Sequence, residues 1–358
     1  MRIIYVSPGY FPRIGGVEYV VKSVAERLAS KGHEVTVVAG SPEAEAPGRE
    51  EINGVEVLRW PTWAPGGAYH MPKATGKFAE AVAELCRGAD VLHIHNIHAI
   101  TAYYAWRGWR RCVGKVRLVV TPHYHRTGHT IFRRLLWIPW RTVVGRMLRS
   151  ASVIHAVSEY EAMLLEEDFG VKPIVIMHGV DEDVLSYKWD PRGYAMYAGR
   201  IEKYKNIDLV AWVIAEMNRR YGTDLEFLVV GEGPYAERLR RNLERIGLKY
   251  SILPFQPRKR YLELLSHASL FMTLSRREAF GITPLEAVTI GVPTVITKPW
   301  GEHFKGIGRV LIVDADEPVS KLAEEVHRFL SQAKANANKR ACTWDEIALE
   351  YIEKLYTI

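Results

Sequence analysis

Cysteine is scarce in this chain. Only Cys86, Cys112 and Cys342 occur in 358 residues, widely spaced and odd in number. They match neither a disulfide framework nor a metal-ligand spacing, so a reducing, cytoplasmic setting suits the chain best. Long apolar runs are missing too, and with them the stretch of about 18 residues that a spanning helix needs. The opening residues 1–16 have too short an apolar run for a secretion signal and no cleavage site; they read as a β-strand and a loop. That loop lacks a G-x-G-x-x-G fingerprint, so a dinucleotide-binding site is poorly matched. Finally, no acidic residue occurs between Asp90 and Glu159.

What is present points to two domains: 358 residues, 48% of them hydrophobic, are enough for two cores. The net charge of +7 is uneven. The acid-free stretch holds Arg107, Arg110, Arg111, Lys115, Arg117, Arg126, Arg133, Arg134, Arg141, Arg146 and Arg149, interleaved with Trp106, Trp109, Trp137 and Trp140. Tryptophan beside arginine fits an anionic membrane surface or a lipid-linked acceptor. A soluble anionic acceptor and a basic face with no binding task remain open. No nucleic-acid motif accompanies the stretch, so no nucleic-acid partner is expected. Pro139 should divide it into two short helical pieces.

Strand and helix patterns alternate along the chain. Residues 2–7 read as a strand, Val17, Val20, Val21, Val24, Ala25 and Leu28 recur at helical spacing up to Gly32, and residues 34–39 read as a strand. This βαβ unit places the glycine pair Gly15-Gly16 at the carboxyl end of the first strand, where open α/β sheets bind ligands and where glycine lets backbone approach a phosphate. Residues 41–52 read as a surface loop, 55–58 as a strand and 60–70 as an aromatic loop. In the strand 90–95, His93 and His95 share a face, but a metal site would need a third ligand. Residues 118–125 run from a strand into a loop with His123 and His125.

Further strands are expected at 152–158, 195–200, 225–230, 252–255, 293–297 and 311–313, and a strand running into a turn at 174–181. The stretch 270–291 reads as strand, polar turn, small-residue elbow and helix, with Thr283 as helix cap, Pro284 in the first turn and Glu286 as a capping acid. Strand, glycine turn and helix N-terminus together make an anion site.

Several motifs occur in a telling order: the Gly15-Gly16 pair, His123 after a V-x-T run, Arg200 followed by Lys205 as G-R-x4-K, Gly231-Glu232-Gly233-Pro234, Glu278 and Glu286 spaced as E-x7-E, and a tryptophan-led terminal helix from Thr343. In this order the chain resembles the retaining GT-B glycosyltransferases of the E-x7-E type (group 1, family 4), over nearly its whole length. Two departures are His178 where the family has Asn in N-G-V-D, and Asn206 where Gly usually follows the motif lysine.

The resemblance implies an α/β protein of GT-B architecture, with two Rossmann-like parallel-sheet domains facing across a cleft. The expected boundaries are 1–185 for the acceptor side, 186–340 for the nucleotide-sugar side and 341–358 for a helix returning to the first domain, and the strand at 152–158 would close the first domain's sheet. It implies a hexose donor that is a GDP- or UDP-sugar and an acceptor that is a glycan or lipid-linked. Arg200 and Lys205 would stabilise the departing diphosphate in place of a metal, with no cofactor required. Glu278 would hold sugar hydroxyls, and His123, or failing it His125, would contact the sugar. Gly15, Gly16, Gly231, Gly233, Phe280, Gly281, Ile282, Thr283 and Glu286 would bind the donor, Glu286 through its ribose. Arg126, Arg133, Arg134, Trp137, Trp140 and Arg141 would face the acceptor or the cytoplasmic membrane surface. A sugar-nucleotide epimerase or phosphorylase, or a non-catalytic lipid- or RNA-binding protein on this scaffold, are the alternatives. Intact motif acids and bases argue against the last.

Overall fold

The computed structural model describes residues 1–13, 15–65, 69–112, 116–126, 131–332 and 340–357, with the side chains of 131–136 outside the description. The chain forms two compact units, Met1–His178 with Trp344–Ile358, and Gly179–Thr343. The two compact units divide after His178, where the next residues bond into the second unit. Val180 N donates to Cys342 O at 2.9 Å, and Asp183 accepts from two nitrogens of Arg258 at 3.0 Å each.

The first unit carries β1 (Arg2–Ser7), β2 (Glu34–Ser41), β3 (Gly48–Ile52), β4 (Val55–Trp63), β5 (Met71–Pro72), β6 (Val91–His95), β7 (Arg117–Thr121), β8 (Val153–Ala156) and β9 (Ile174–Val175). Their order is β3-β4-β2-β1-β6-β7-β8-β9, with β5 beside β4. Only β3 and β5 run antiparallel to β4. The central strands are buried on both faces, which is why they read as apolar runs without alternation. Around them lie α1 (Gly16–Ser30), α2 (Thr75–Cys86), α3 (Ile100–Trp109), α4 (Ile131–Ser150) and α5 (Glu159–Phe169). The helical apolar spacing of α1 buries Val20, Val21, Val24, Ala25 and Leu28, and Gly32 at φ +86° stops the helix in a left-handed conformation that glycine adopts without strain.

Three expectations for this unit are corrected. Residues 48–52 form β3, an edge strand with no buried residue, so its polarity marks an edge rather than a loop. The sheet does not close at β8; β9 pairs beyond it. Pro139 does not split α4, which runs through it as one helix. Pro139 is exposed, whereas Val144, Met147 and Leu148 are buried, so packing outweighs the missing backbone hydrogen bond.

The second unit has β10 (Tyr194–Ala198), β11 (Glu226–Val230), β12 (Tyr250–Leu253), β13 (Leu270–Thr273), β14 (Thr294–Thr297) and β15 (Val310–Val313), all parallel in the order β12-β11-β10-β13-β14-β15. That is the doubly wound order, with its switch point between β10 and β13. Its helices are α6 (Ile207–Tyr221), α7 (Ala236–Ile246), α8 (Arg258–Ser266), α9 (Ile282–Ile290) and α10 (Val319–Ser331). α6 buries Ile207, Val210, Val213, Ile214 and Met217, each contributing about 1.5–3 kcal/mol of hydrophobic stabilisation.

The chain ends in α11 (Trp344–Tyr351) and a π-helical turn, Ile352–Tyr356, both in the first unit. Trp344 packs edge-on against Tyr19, Asp345 accepts from Arg27 at 3.1 Å, and the Tyr356 and Tyr5 hydroxyls lie 2.6 Å apart. Among the described residues, no helix is long and apolar enough to cross a membrane.

Candidate active site

In the second unit the motif residues gather at the carboxyl ends of β10 and β13. A Cβ on Gly231 would lie 2.0 Å from the Gly199 carbonyl oxygen, and one on Gly233 2.3 Å from that of Ile201. The G-x-G-P loop therefore nests against the loop that carries Arg200, and Ile201 N donates to Glu232 O at 2.8 Å to hold it there. The structure thus gives Gly231 and Gly233 a packing task. Arg200 is 71% exposed and pairs with Glu202 at 3.2 Å. Lys205 ends a short turn and is largely buried, where it forms an ion pair with Glu278. Burial works against its charge, but the Glu278 carboxylate, with Tyr204 and Tyr197 nearby, prevails and holds its pKa above the usual lysine range. Asn206 follows at φ +57°, a left-handed position that asparagine tolerates nearly as well as the glycine it replaces.

The elbow after β13 departs from expectation. Gly281, not Thr283, is the residue preceding α9, and its φ of +104° and the Trp300 ring 2.9 Å from any added Cβ both demand glycine. Ile282 and Thr283 form the first helical turn, whose N–H groups have no intrahelical partner. The Thr283 hydroxyl donates to Ala198 O at 3.4 Å, joining this turn to the end of β10. The Phe280 ring is buried against His303, centroids 4.5 Å apart, so its side chain belongs to the core.

Glu286 is no capping acid. It is buried, paired with Arg258, and accepts from the Tyr261 hydroxyl at 2.7 Å. Burial raises its pKa, and Arg258 and Tyr261 act in the opposite direction. Arg258 and Tyr261 carry no mark in the sequence, because nothing local identifies a helix-start arginine as the partner of an acid 28 residues later.

In the first unit, Gly15 and Gly16 begin α1. Neither needs a left-handed backbone, and a Cβ on Gly16 would meet nothing within 4 Å. The fold itself therefore does not require glycine at position 16. His123 lies beyond β7 at φ +51°, with Nε2 3.1 Å from His95 Nδ1. Burial, aided by His155 and His125, pushes its pKa down to about 3. His95 Nε2 is buried without a partner among the described residues. His93 is no metal ligand: both its nitrogens belong to a hydrogen-bond chain of fixed direction. The Ile176 carbonyl can only accept, so His155 Nε2 donates to it at 2.9 Å. His155 Nδ1 then accepts from the Thr121 hydroxyl at 2.8 Å, and Thr121 accepts from His93 Nε2 at 2.7 Å. His93 Nδ1 accepts from Tyr356 at 2.8 Å, which leaves Tyr5 to donate to Tyr356. Both histidines are held neutral.

The family model for Glycosyltransferase Family 4 matches residues 14–184, and that for Glycosyl transferases group 1 matches residues 186–340. The chain belongs to the group 1 glycosyltransferases. It is 23% identical to the GDP-mannose:cellobiosyl-diphosphopolyprenol alpha-mannosyltransferase of Komagataeibacter xylinus, over 98% of this chain and 92% of that one. It is 24% identical to the N-acetyl-alpha-D-glucosaminyl L-malate synthase of Bacillus anthracis, over 81% of this chain and 78% of that one. Among solved structures, Anabaena HepE in complex with UDP and glucose superposes with a TM-score of 0.74 at 16% identity, covering 99% of both chains. The fold is GT-B.

In this glycosyltransferase the basic tryptophan-rich segment is used largely within the first unit. The Trp137 ring packs against His98 at 4.7 Å, and Trp140 Nε1 donates to Ile97 O at 3.0 Å. Arg126 pairs with Glu167 and with Asp168 at 3.1 Å, and Arg141 with Asp168 at 3.2 Å. Two acids beyond the acid-free stretch, Glu167 and Asp168, thus return in three dimensions to pair with part of it. Trp137, Trp140, Arg126 and Arg141 all have partners within this unit, while the side chains of Arg126 and Arg141 keep nearly half of their surface exposed. The side chains of Arg133 and Arg134 lie outside the described residues. Arg107 and Arg110 instead lie over Tyr103, Tyr104 and Trp106, and neither they nor the exposed Arg146 and Arg149 form an ion pair among the described residues.

Proposed function

We propose that this glycosyltransferase moves a mannosyl residue from GDP-mannose to a lipid-diphosphate-linked glycan, with retention at the anomeric carbon and without a bound metal. The observation that carries the reading is the near full-length match to a relative named for that transfer. The second unit supplies suitable chemistry. Departure of the diphosphate builds negative charge, and Arg200, Lys205 and the first-turn N–H groups of α9 are of the right sign to stabilise it. Two cations at that point take the place of a divalent ion.

Glu278, neutralised by Lys205 in the absence of donor, would turn to sugar hydroxyls. Glu286 would hold the ribose with the lone pairs left by Arg258 and Tyr261. Phe255, 57% exposed beyond β12, offers a ring to the base. Gly16 would admit the diphosphate, and His123 would act as a neutral partner of the sugar. Retention follows from the resemblance to the E-x7-E enzymes. The carboxylate-free arginines on α3 and α4 suit the anionic surface of a cytoplasmic leaflet, which is where a lipid-linked acceptor would be met.

Thermal shift with GDP-, UDP- and ADP-sugars, followed by product analysis, tests this. A native-state ligand raises Tm with its excess over Kd. GDP-mannose should raise Tm and yield an α-mannosylated lipid in the presence of EDTA. A shift with a UDP- or ADP-sugar alone would replace the donor, a β-linked product would remove retention, and loss of activity in EDTA would remove the metal-free reading.

A further inference from the structure

His123 is held in a conformation it would not choose. A left-handed backbone at a non-glycine residue is costly and persists only where the surroundings enforce it. The ring is fixed by His95, but the backbone needs its own restraint, and α5 provides it. Ser158 caps α5, its hydroxyl accepting from Glu161 N at 3.1 Å. In an ordinary capping box the acid would reach back to the N–H of the cap itself. Here it goes elsewhere. Glu161 is fully buried; one carboxylate oxygen accepts from Val157 N at 2.8 Å, and the other crosses to Tyr124 N, the residue after His123, at 2.5 Å. Two helical turns on, Asp168 accepts from the Tyr124 hydroxyl at 2.7 Å and from Arg126 Nε at 3.1 Å. One face of α5 therefore grips the loop at both ends, and the grip nearest His123 is the carboxylate of Glu161.

We propose that Glu161 is a positioning residue, whose buried carboxylate holds the loop after β7 so that the His123 imidazole is presented in one orientation at the sheet's carboxyl edge. The proposal rests on the reading that His123 contacts the sugar. A carboxylate taken out of water can be held by two N–H groups, and an amide put in its place would turn a donor toward one of them. Burial raises its pKa to about 7, against the opposing pull of the Val157 and Tyr124 N–H groups. Tyr351 of α11 is the other titratable group facing it, and burial first, then Tyr5 and Glu161, keep that phenol neutral. Protonation of Glu161 as pH falls through about 7 weakens one of its two contacts and loosens the loop.

The test compares Glu161→Gln, Glu161→Asp and Ser158→Ala in the full chain. The first two disturb the grip on Tyr124; the third removes the cap and leaves that grip in place. The first readout needs no substrate: the His123 ring C–H resonance should shift or broaden in both Glu161 variants and stay in place in Ser158→Ala. An unmoved resonance overturns the proposal, as does failure of both Glu161 variants to fold, which would make Glu161 a stability residue. The second readout is turnover of GDP-mannose. Glu161→Gln should lower kcat about 10- to 100-fold, the size expected when a reacting group is displaced by an ångström, with little change in donor KM. It should also abolish the acid limb of the kcat profile near pH 7 and have no effect in a His123→Ala background. Full additivity with His123→Ala overturns the proposal alone. Wild-type turnover in His123→Ala overturns the reading on which it rests.

Discussion

The two units share a sheet order around their first strands, yet their carboxyl edges hold opposite chemistry. In the first unit the edge is neutral. His93, His95, His123 and His155 are buried and held well below the usual histidine range by burial first and, for the first three, by one another second. In the second unit the edge is ionic, with Lys205 against Glu278 and Arg258 against Glu286. The same topology can therefore present a dipolar surface or a charged one, depending on which side chains end the strands. The charged edge is the one suited to a leaving diphosphate, and the neutral edge to a partner that carries hydroxyls.

The sharpest way to break this contrast is to remove the cations. Lys205→Ala should lower turnover about 10³-fold, in line with loss of one transition-state partner. It should also lower Tm, because Glu278 is left without its cation; adding Glu278→Ala should restore Tm but not turnover. Arg200→Ala should lower turnover similarly while leaving Tm unchanged, since its side chain is mostly exposed. Wild-type turnover in either single variant would remove the ionic edge from the chemistry.

Next in size is Arg258→Ala, which strands a buried carboxylate. Removing one partner of a buried pair costs about 3–5 kcal/mol, reduced to roughly 2–3 here because Arg258 is one-third exposed. Urea unfolding measures it, and a loss below about 0.5 kcal/mol would show that Glu286 is held by Tyr261 alone.

The neutral edge makes an acid-sensitive unit. Histidines whose folded pKa is depressed bind fewer protons folded than unfolded, so stability rises with pH and is lost as pH falls below about 6.5 toward the folded values, about 4 for His155 and about 3 for His123. Glu161, raised to about 7, has the opposite sign between about 4.5 and 7 and offsets part of the loss. Unfolding at pH 5 against pH 7.5 should show a net loss on the order of 2 kcal/mol. A flat or rising stability toward acid would mean that the imidazoles are not neutral in the native state.

The smallest effect concerns the surface. Arg107→Ala should weaken sedimentation with anionic vesicles about fivefold, at ~1 kcal/mol for one basic residue. Arg126→Ala with Arg141→Ala should leave it unchanged. The reverse pattern would return the membrane reading to the tryptophan-rich part of α4.

Much of this molecule was legible in one dimension, and the reason is locality. A parallel strand buried on both faces reads as an apolar run, a helix against it reads at its own period, and a backbone that needs glycine shows glycine, as at Gly281 and Gly32. The motif order from Gly15-Gly16 to Glu286 carried the family. Tertiary structure alone decided who pairs with whom. Arg126 and Arg141 lie in a stretch with no acid, yet meet Glu167 and Asp168 because α5 folds back beside them. Glu286 looks like a helix cap and is instead the partner of Arg258. Glu161 sits three residues after the cap Ser158, yet its second bond reaches across 37 residues to Tyr124. Ion pairs and hydrogen bonds act over a few ångströms in space, whatever the separation along the chain, so local patterns specify the elements and only their packing selects the partners.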